Sequence, residues 1–126
     1  MPKPPWRERK ESHIRTLREA SREVLRVASA DKLHNARSIL SDLRRNGDAT
    51  WALFRGGREG TLWYYRTLHE LLTRSAPGSM VEELGRVLAC VACAWLLWHG
   101  SITAGALAAQ WSWTRRLFSV SAKVRF

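Results

Sequence analysis

Cysteine is scarce in this chain. The two that occur, Cys90 and Cys93, lie in one apolar stretch and cannot frame a disulfide scaffold. Acidic residues are also few, 11 against 21 basic, which gives a net charge of +10. That balance favours anionic partners: nucleotides, nucleic acid or acidic lipid. Arginine-rich tracts, zinc-finger spacing and the aromatic signatures of RNA-binding modules are missing, so sequence-specific nucleic-acid recognition is not expected. The basic residues are spread along the chain, as on solvated helix faces. No segment alternates with a period of two, no hairpin turn occurs and nothing repeats, which excludes β and solenoid architectures. The opening Met-Pro-Lys-Pro-Pro-Trp-Arg has no apolar core of the signal-peptide kind, so a cytoplasmic location is expected.

What is present reads as helix. With 126 residues, 45% of them hydrophobic and seven of them tryptophan, the chain can close one core but not two. Pro5 suits a first helical position, and residues 6–19 form a highly charged helix with Ile14 and Leu17 as its apolar contacts. Ser21 is the expected N-cap of a helix from Arg22 to Asn46, which Gly47 ends. Its apolar positions, Val24 to Leu43, cover more than half the circumference, so burial from two sides is expected. Asp48 suits the cap of a short helix through Phe54, and Gly56-Gly57 breaks it. Residues 59–74 form an amphipathic helix with Leu62, Tyr65, Leu68 and Leu72 facing the core. After the turn Ser75-Ala76-Pro77-Gly78, Ser79 and Glu82 have the spacing of a capping box that opens a further helix. The expected class is all-α, with about five helices.

Chemistry concentrates between Ala30 and Ile39. An acid, an imidazole, an amide, a guanidinium and a hydroxyl interrupt an apolar helical pattern there. Asp31, Asn35 and Ser38, at i, i+4 and i+7, share one face, and Val24, Val27 and Ala28 continue that stripe. A carboxylate beside buried surface is costly unless a metal, a cation or several donors compensate it, and Lys32, Arg26, Arg37 or a cation from another helix could pair with it. His34 points about 100° away from Asn35, and His13 lies on another helix with no spacing that ties it to Asp31.

The run Ala30-Asp31-Lys32-Leu33-His34-Asn35-Ala36-Arg37 resembles the Ala-Asp-Arg-Leu-His-Asn signature of the HD-superfamily phosphohydrolases. Within them it is most similar to the RelA/SpoT-type guanosine-polyphosphate hydrolases and their small single-domain relatives. The flanking Pro5-Trp6-Arg7-Glu8-Arg9-Lys10 and Gly57-Arg58-Glu59-Gly60-Thr61-Leu62-Trp63-Tyr64-Tyr65-Arg66 resemble a subgroup of small bacterial HD proteins. The likeness runs from about Pro4 to Val87 and implies the C-terminal part of such a domain over residues 1–87. It also implies a divalent metal, manganese first, held by histidines and aspartates and used to activate water against a pyrophosphate bond of a nucleotide. On this likeness Asp31 stands where the family has its last metal-binding aspartate. Asn35 matches the amide that meets the nucleotide's sugar-phosphate, and Ser38 replaces a substrate-facing threonine. The chain departs from the pattern in having no His-Asp dipeptide, the pair that supplies two of the ligands. One carboxylate does not make a metal site, so the isolated chain is expected to be inactive.

Composition changes after Val87. Residues 87–114 carry no charged side chain, a length that could span a bilayer. His99, Gly100, Ser101, Thr103, Gly105 and Gln110 lower the hydrophobicity of its second half. A buried helical hairpin, a membrane segment, or an unrelated tail such as a truncated or frame-shifted gene would add are the alternatives for residues 88–126. The spacing of Cys90 and Cys93 among apolar neighbours suggests inert buried thiols. Trp63-Tyr64-Tyr65 fits core packing, with Tyr65 innermost, and Gly56-Gly57 fits an inter-helical loop, not a phosphate loop. A second reading needs no catalysis: a small basic helical protein that binds partners or a membrane surface.

Overall fold

The computed structural model describes residues 2–99, and among them every regular element is helical. Helix α1 spans Trp6–Arg18, α2 Arg22–Asn46, α3 Gly57–Ser75 and α4 Ser79–His99, with a 3-10 helix at Gly47–Leu53 between α2 and α3. Pro5 stands at the N-cap of α1, one position before the helix proper, and its carbonyl accepts the Arg9 N–H at 3.1 Å. Ser21 caps α2: its Oγ accepts the Val24 N–H at 3.3 Å, satisfying one of the first-turn donors. Gly47 ends α2 at φ 59, a left-handed value that a side chain would resist. The short helix expected from Asp48 is the 3-10 segment, a tighter coil suited to a brief connector.

Helices α2 and α4 pack most extensively against each other, α3 closes on both, and α1 lies against α3. Leu68, Leu72 and Leu84 are fully buried at the centre, with Leu25, Leu33, Ile39 and Leu43 of α2 around them. Burying each such side chain contributes about 1.5–3 kcal/mol. The Arg37 guanidinium also pairs with Glu83, tying α2 to α4 at the surface.

The two flanking motifs of the sequence close on one another. The Trp6 indole lies over the start of α3, so close that a methyl group on Gly56 would sit 2.5 Å from its Cη2, and one on Gly60 3.1 Å away. Trp6 meets Trp63 edge-on, with ring centroids 6.4 Å apart, and the Arg7 guanidinium stacks 3.3 Å over the Trp63 ring. The glycines at 56 and 60 thus make room for an aromatic anchor that holds α1 in place.

Two packing expectations are corrected. Helix α2 buries one face, not two: Leu25, Ser29, Leu33, Ala36, Ile39 and Leu43 are inside, whereas Val24 is 50% and Val27 72% exposed. Nothing among the described residues packs over that second stripe. The cysteines are exposed, because Leu84, Leu88, Val91 and Ala92 take the core side of α4 and leave Cys90 and Cys93 on its outer side. The compositional change at Val87 falls inside α4, which runs on without a break to His99. No described helix is long and apolar enough to cross a membrane. The expected tail beyond His99 lies outside the described residues.

Candidate functional site

Asp31, Asn35 and Ser38 share a face of α2, and it is an open one. The Asp31 side chain is 58% exposed, so the expected burial cost does not arise. Of the three cations considered for it, Lys32 is the partner, with Nζ 3.1 Å from Asp31 Oδ2. The Asn35 amide donates to the same oxygen at 3.5 Å, a long contact. Ser38 Oγ donates to the His34 carbonyl at 3.2 Å, which turns its hydroxyl back onto its own helix. His34 itself is exposed.

Folding adds residues that spacing along α2 could not supply. Helix α1 presents Lys10 and His13, one turn apart, and α3 presents Tyr64 and Tyr65. Lys10 Nζ stands 4.4 Å from the Tyr64 ring centroid and Lys32 Nζ 5.5 Å from it, both within cation–π range. The His13 ring lies 6.3 Å from the same ring at a 46° tilt. Tyr64 is buried beneath this rim, and Tyr65 packs edge-on against it with centroids 5.8 Å apart. Contrary to expectation, His13 is therefore within electrostatic reach of Asp31.

The charges of this cluster act on one another. Burial first, then the positive charges of Lys32 and Arg9, hold the Lys10 ammonium below its ordinary pKa. His13 is lowered by burial, then by Lys32 and Lys10, with Asp31 acting in the opposite direction. Burial, helped by the Asp31 charge, pushes the Tyr64 hydroxyl up to about 12, so it stays protonated at neutral pH and keeps a donor. Tyr65 is raised chiefly by burial, while Lys32 and the Asn35 amide oppose the shift.

A divalent cation does not fit these residues. Among the described residues no three His, Cys, Asp or Glu side chains come together. The one carboxylate on the face already has an ammonium against it, and a second lysine stands nearby. Such a setting repels a cation and attracts an anion. Elsewhere, α3 and α4 enclose a surface recess of about 290 Å³ between Trp63 and Trp95. Its Arg58 stacks 3.9 Å over Trp95 and lies 3.4 Å from Glu59, so it is already engaged.

Sequence reasoning missed Lys10, Lys32 and Tyr64 as members of one site. The available signal was the Pro5–Lys10 motif itself, which places Lys10 three residues before His13 on one helical face. In comparisons with known proteins, no family model and no curated protein matched the chain.

Proposed function

We propose that this chain is the nucleotide-engaging part of an HD-type phosphohydrolase domain of the guanosine-polyphosphate branch, acting in the cytoplasm. The described residues do not complete a metal centre, and on this reading the isolated chain binds such nucleotides without hydrolysing them. The observation that carries the reading is the open α2 face with Asp31 and Asn35, bordered by Lys10 of the first flanking motif and Tyr64 and Tyr65 of the second. Three stretches that resemble one family in sequence meet at one surface.

The test has two arms. Binding of guanosine tetraphosphate is measured by titration calorimetry, and Asn35→Ala is expected to weaken it. Absence of binding would remove the nucleotide reading. Release of pyrophosphate is measured with manganese present, and none is expected. Turnover that Asp31→Ala abolishes would overturn the inactive assignment and restore Asp31 as a metal ligand.

A helical interaction protein without a nucleotide is the second reading. Exposure of Val24 and Val27 beside Asp31 favours it, since apolar side chains on one helical stripe suit a partner surface. Sedimentation of the chain and of Val27→Asp separates the readings: self-association lost in the variant supports interaction, and a monomer in both cases sinks self-association.

A further inference from the structure

We propose that Cys90 and Cys93 form one half of a zinc site, which the same two cysteines of a second copy of the chain complete. The inference is independent of the nucleotide reading, and it uses a different surface from Val24 and Val27.

Exposure is the first observation. Thiols in an apolar run ordinarily pack inside, yet both of these stand on the outer side of α4. Three residues apart on a helix, they differ by about 60° around its axis and share one face. Their β-carbons are then about 5–6 Å apart. A zinc–sulfur bond of about 2.3 Å with tetrahedral angles sets neighbouring sulfurs about 3.8 Å apart, a gap that two side chains turned toward each other can close. The pair is therefore a two-point thiol donor, suited to a soft or borderline metal.

One chain cannot finish the site. A structural zinc takes four protein ligands, and no three His, Cys, Asp or Glu side chains gather among the described residues. Two-fold pairing of α4 with α4 of a second copy supplies the other two, because in such a contact Cys90 of each copy meets Cys93 of the other. The surface allows that approach. Ala89 and Ala94 flank the thiols with side chains that stop at a methyl group, and α4 carries no charged side chain from Val87 to Trp95. An apolar outer face of this kind is stabilised by being covered. Charge points the same way. Four thiols take up one zinc ion by releasing four protons, which leaves a centre of net charge minus two. Arg86, exposed one turn before Cys90 on the same side, brings one positive charge from each copy against it. In the cytoplasmic setting proposed above thiols stay reduced, and the spacing then favours a metal over a disulfide.

Sedimentation of the full chain, reduced and stripped of metal, is compared with and without added zinc chloride. Zinc is expected to double the mass at one zinc per two chains, and EDTA to reverse the change. Cobalt in place of zinc should give the sulfur-to-cobalt absorption and strong visible bands of a tetrahedral thiolate site. Cys90→Ser and Cys93→Ser should each abolish both the zinc-dependent doubling and the cobalt spectrum. Thermal melts of these variants establish that the fold is kept, and Cys90→Ala and Cys93→Ala, as second replacements, should behave alike. Val27→Asp should leave the zinc effect untouched, which separates this site from self-association through α2. A mass that zinc leaves unchanged would overturn the proposal. So would a monomer that holds one zinc per chain, the result expected if residues 100–126 of the same chain completed the site. A doubling that appears only when the reductant is omitted would assign the cysteines to a disulfide and refute the metal. A zinc effect that survives in Cys90→Ser would place the metal elsewhere and refute it too.

Discussion

Replacing Gly56 by alanine tests the anchor on which the site depends, because α1 supplies Lys10 and His13 only if Trp6 stays seated. The backbone at Gly56, φ −78 and ψ −6, is open to any residue, so conformational strain is not the issue. Space is. A methyl group there would lie 2.5, 2.6 and 2.8 Å from three carbons of the Trp6 indole, against about 3.5–4.0 Å for an ordinary carbon contact. The ring must leave its seat, and overpacking of this kind costs about 1–3 kcal/mol. With Trp6→Ala in place the clash disappears. Gly56→Ala should then be neutral or stabilising by about 0.4–1 kcal/mol, through a less flexible unfolded chain. The double-mutant cycle therefore predicts a coupling energy of about 1–4 kcal/mol between positions 6 and 56. Gly60→Ala is the graded case, since its methyl would sit 3.1 Å from two ring carbons while gaining about 1 kcal/mol of helix propensity. Its cost should be smaller than that of Gly56→Ala. Urea unfolding of the four proteins reads these values from the midpoints at constant slope. Equal destabilisation by Gly56→Ala with and without Trp6 would refute the reasoning, as would a Gly56→Ala protein as stable as the parent.

Three further outcomes are expected. His69 is buried, its Nε2–H donates to the Val81 carbonyl at 3.1 Å, and burial holds its pKa below the ordinary value despite that bond and Glu70. The unfolded chain then takes up the proton first, so stability is full above about pH 6.5 and falls as the pH drops below it. Unfolding midpoints between pH 8 and pH 5 check the sign, with His69→Gln expected to flatten the slope and His13 acting in the same direction. Leu84→Ala should cost about 2–5 kcal/mol by opening a cavity in the fully buried centre. Val27→Ala, on the open stripe, should change stability by about 0.5 kcal/mol or less, and equal losses at the two positions would contradict the one-sided burial of α2. Ser21→Ala should cost about 1 kcal/mol, measured by thermal unfolding, through loss of the bond to the Val24 N–H.

The helices were legible in the sequence because their signals are local. Ser21, Gly47 and the turn before Ser79 mark ends through hydrogen bonding and backbone freedom that involve only a few neighbours. The spacing of Leu68 and Leu72 marks a core face for the same reason. Which side of α2 is covered was not legible, since Val24 and Val27 are as apolar as Leu25 and differ only in what packs against them. The cysteines show the same limit: an apolar neighbourhood in sequence says nothing about which side of α4 faces α2 and α3. At the candidate site, the shared face of Asp31 and Asn35 followed from helical geometry. The arrival of Lys10, His13 and Tyr64 did not.

By itself the sequence determined an all-α chain, the ends of its helices, a basic character and one polar face on α2, because each depends on side-chain type and spacing within a turn or two. Only the tertiary structure decided that this face stays open, that Asp31 pairs with Lys32, and that Trp6 docks on Gly56 and Gly60. The physical reason is that burial and charge are set by what lies across the contact. Packing α1 against α3 brings Lys10 and His13 to Tyr64, and α2 brings Lys32 to the same ring. Two lysines and a histidine from separate stretches thereby meet around one ring.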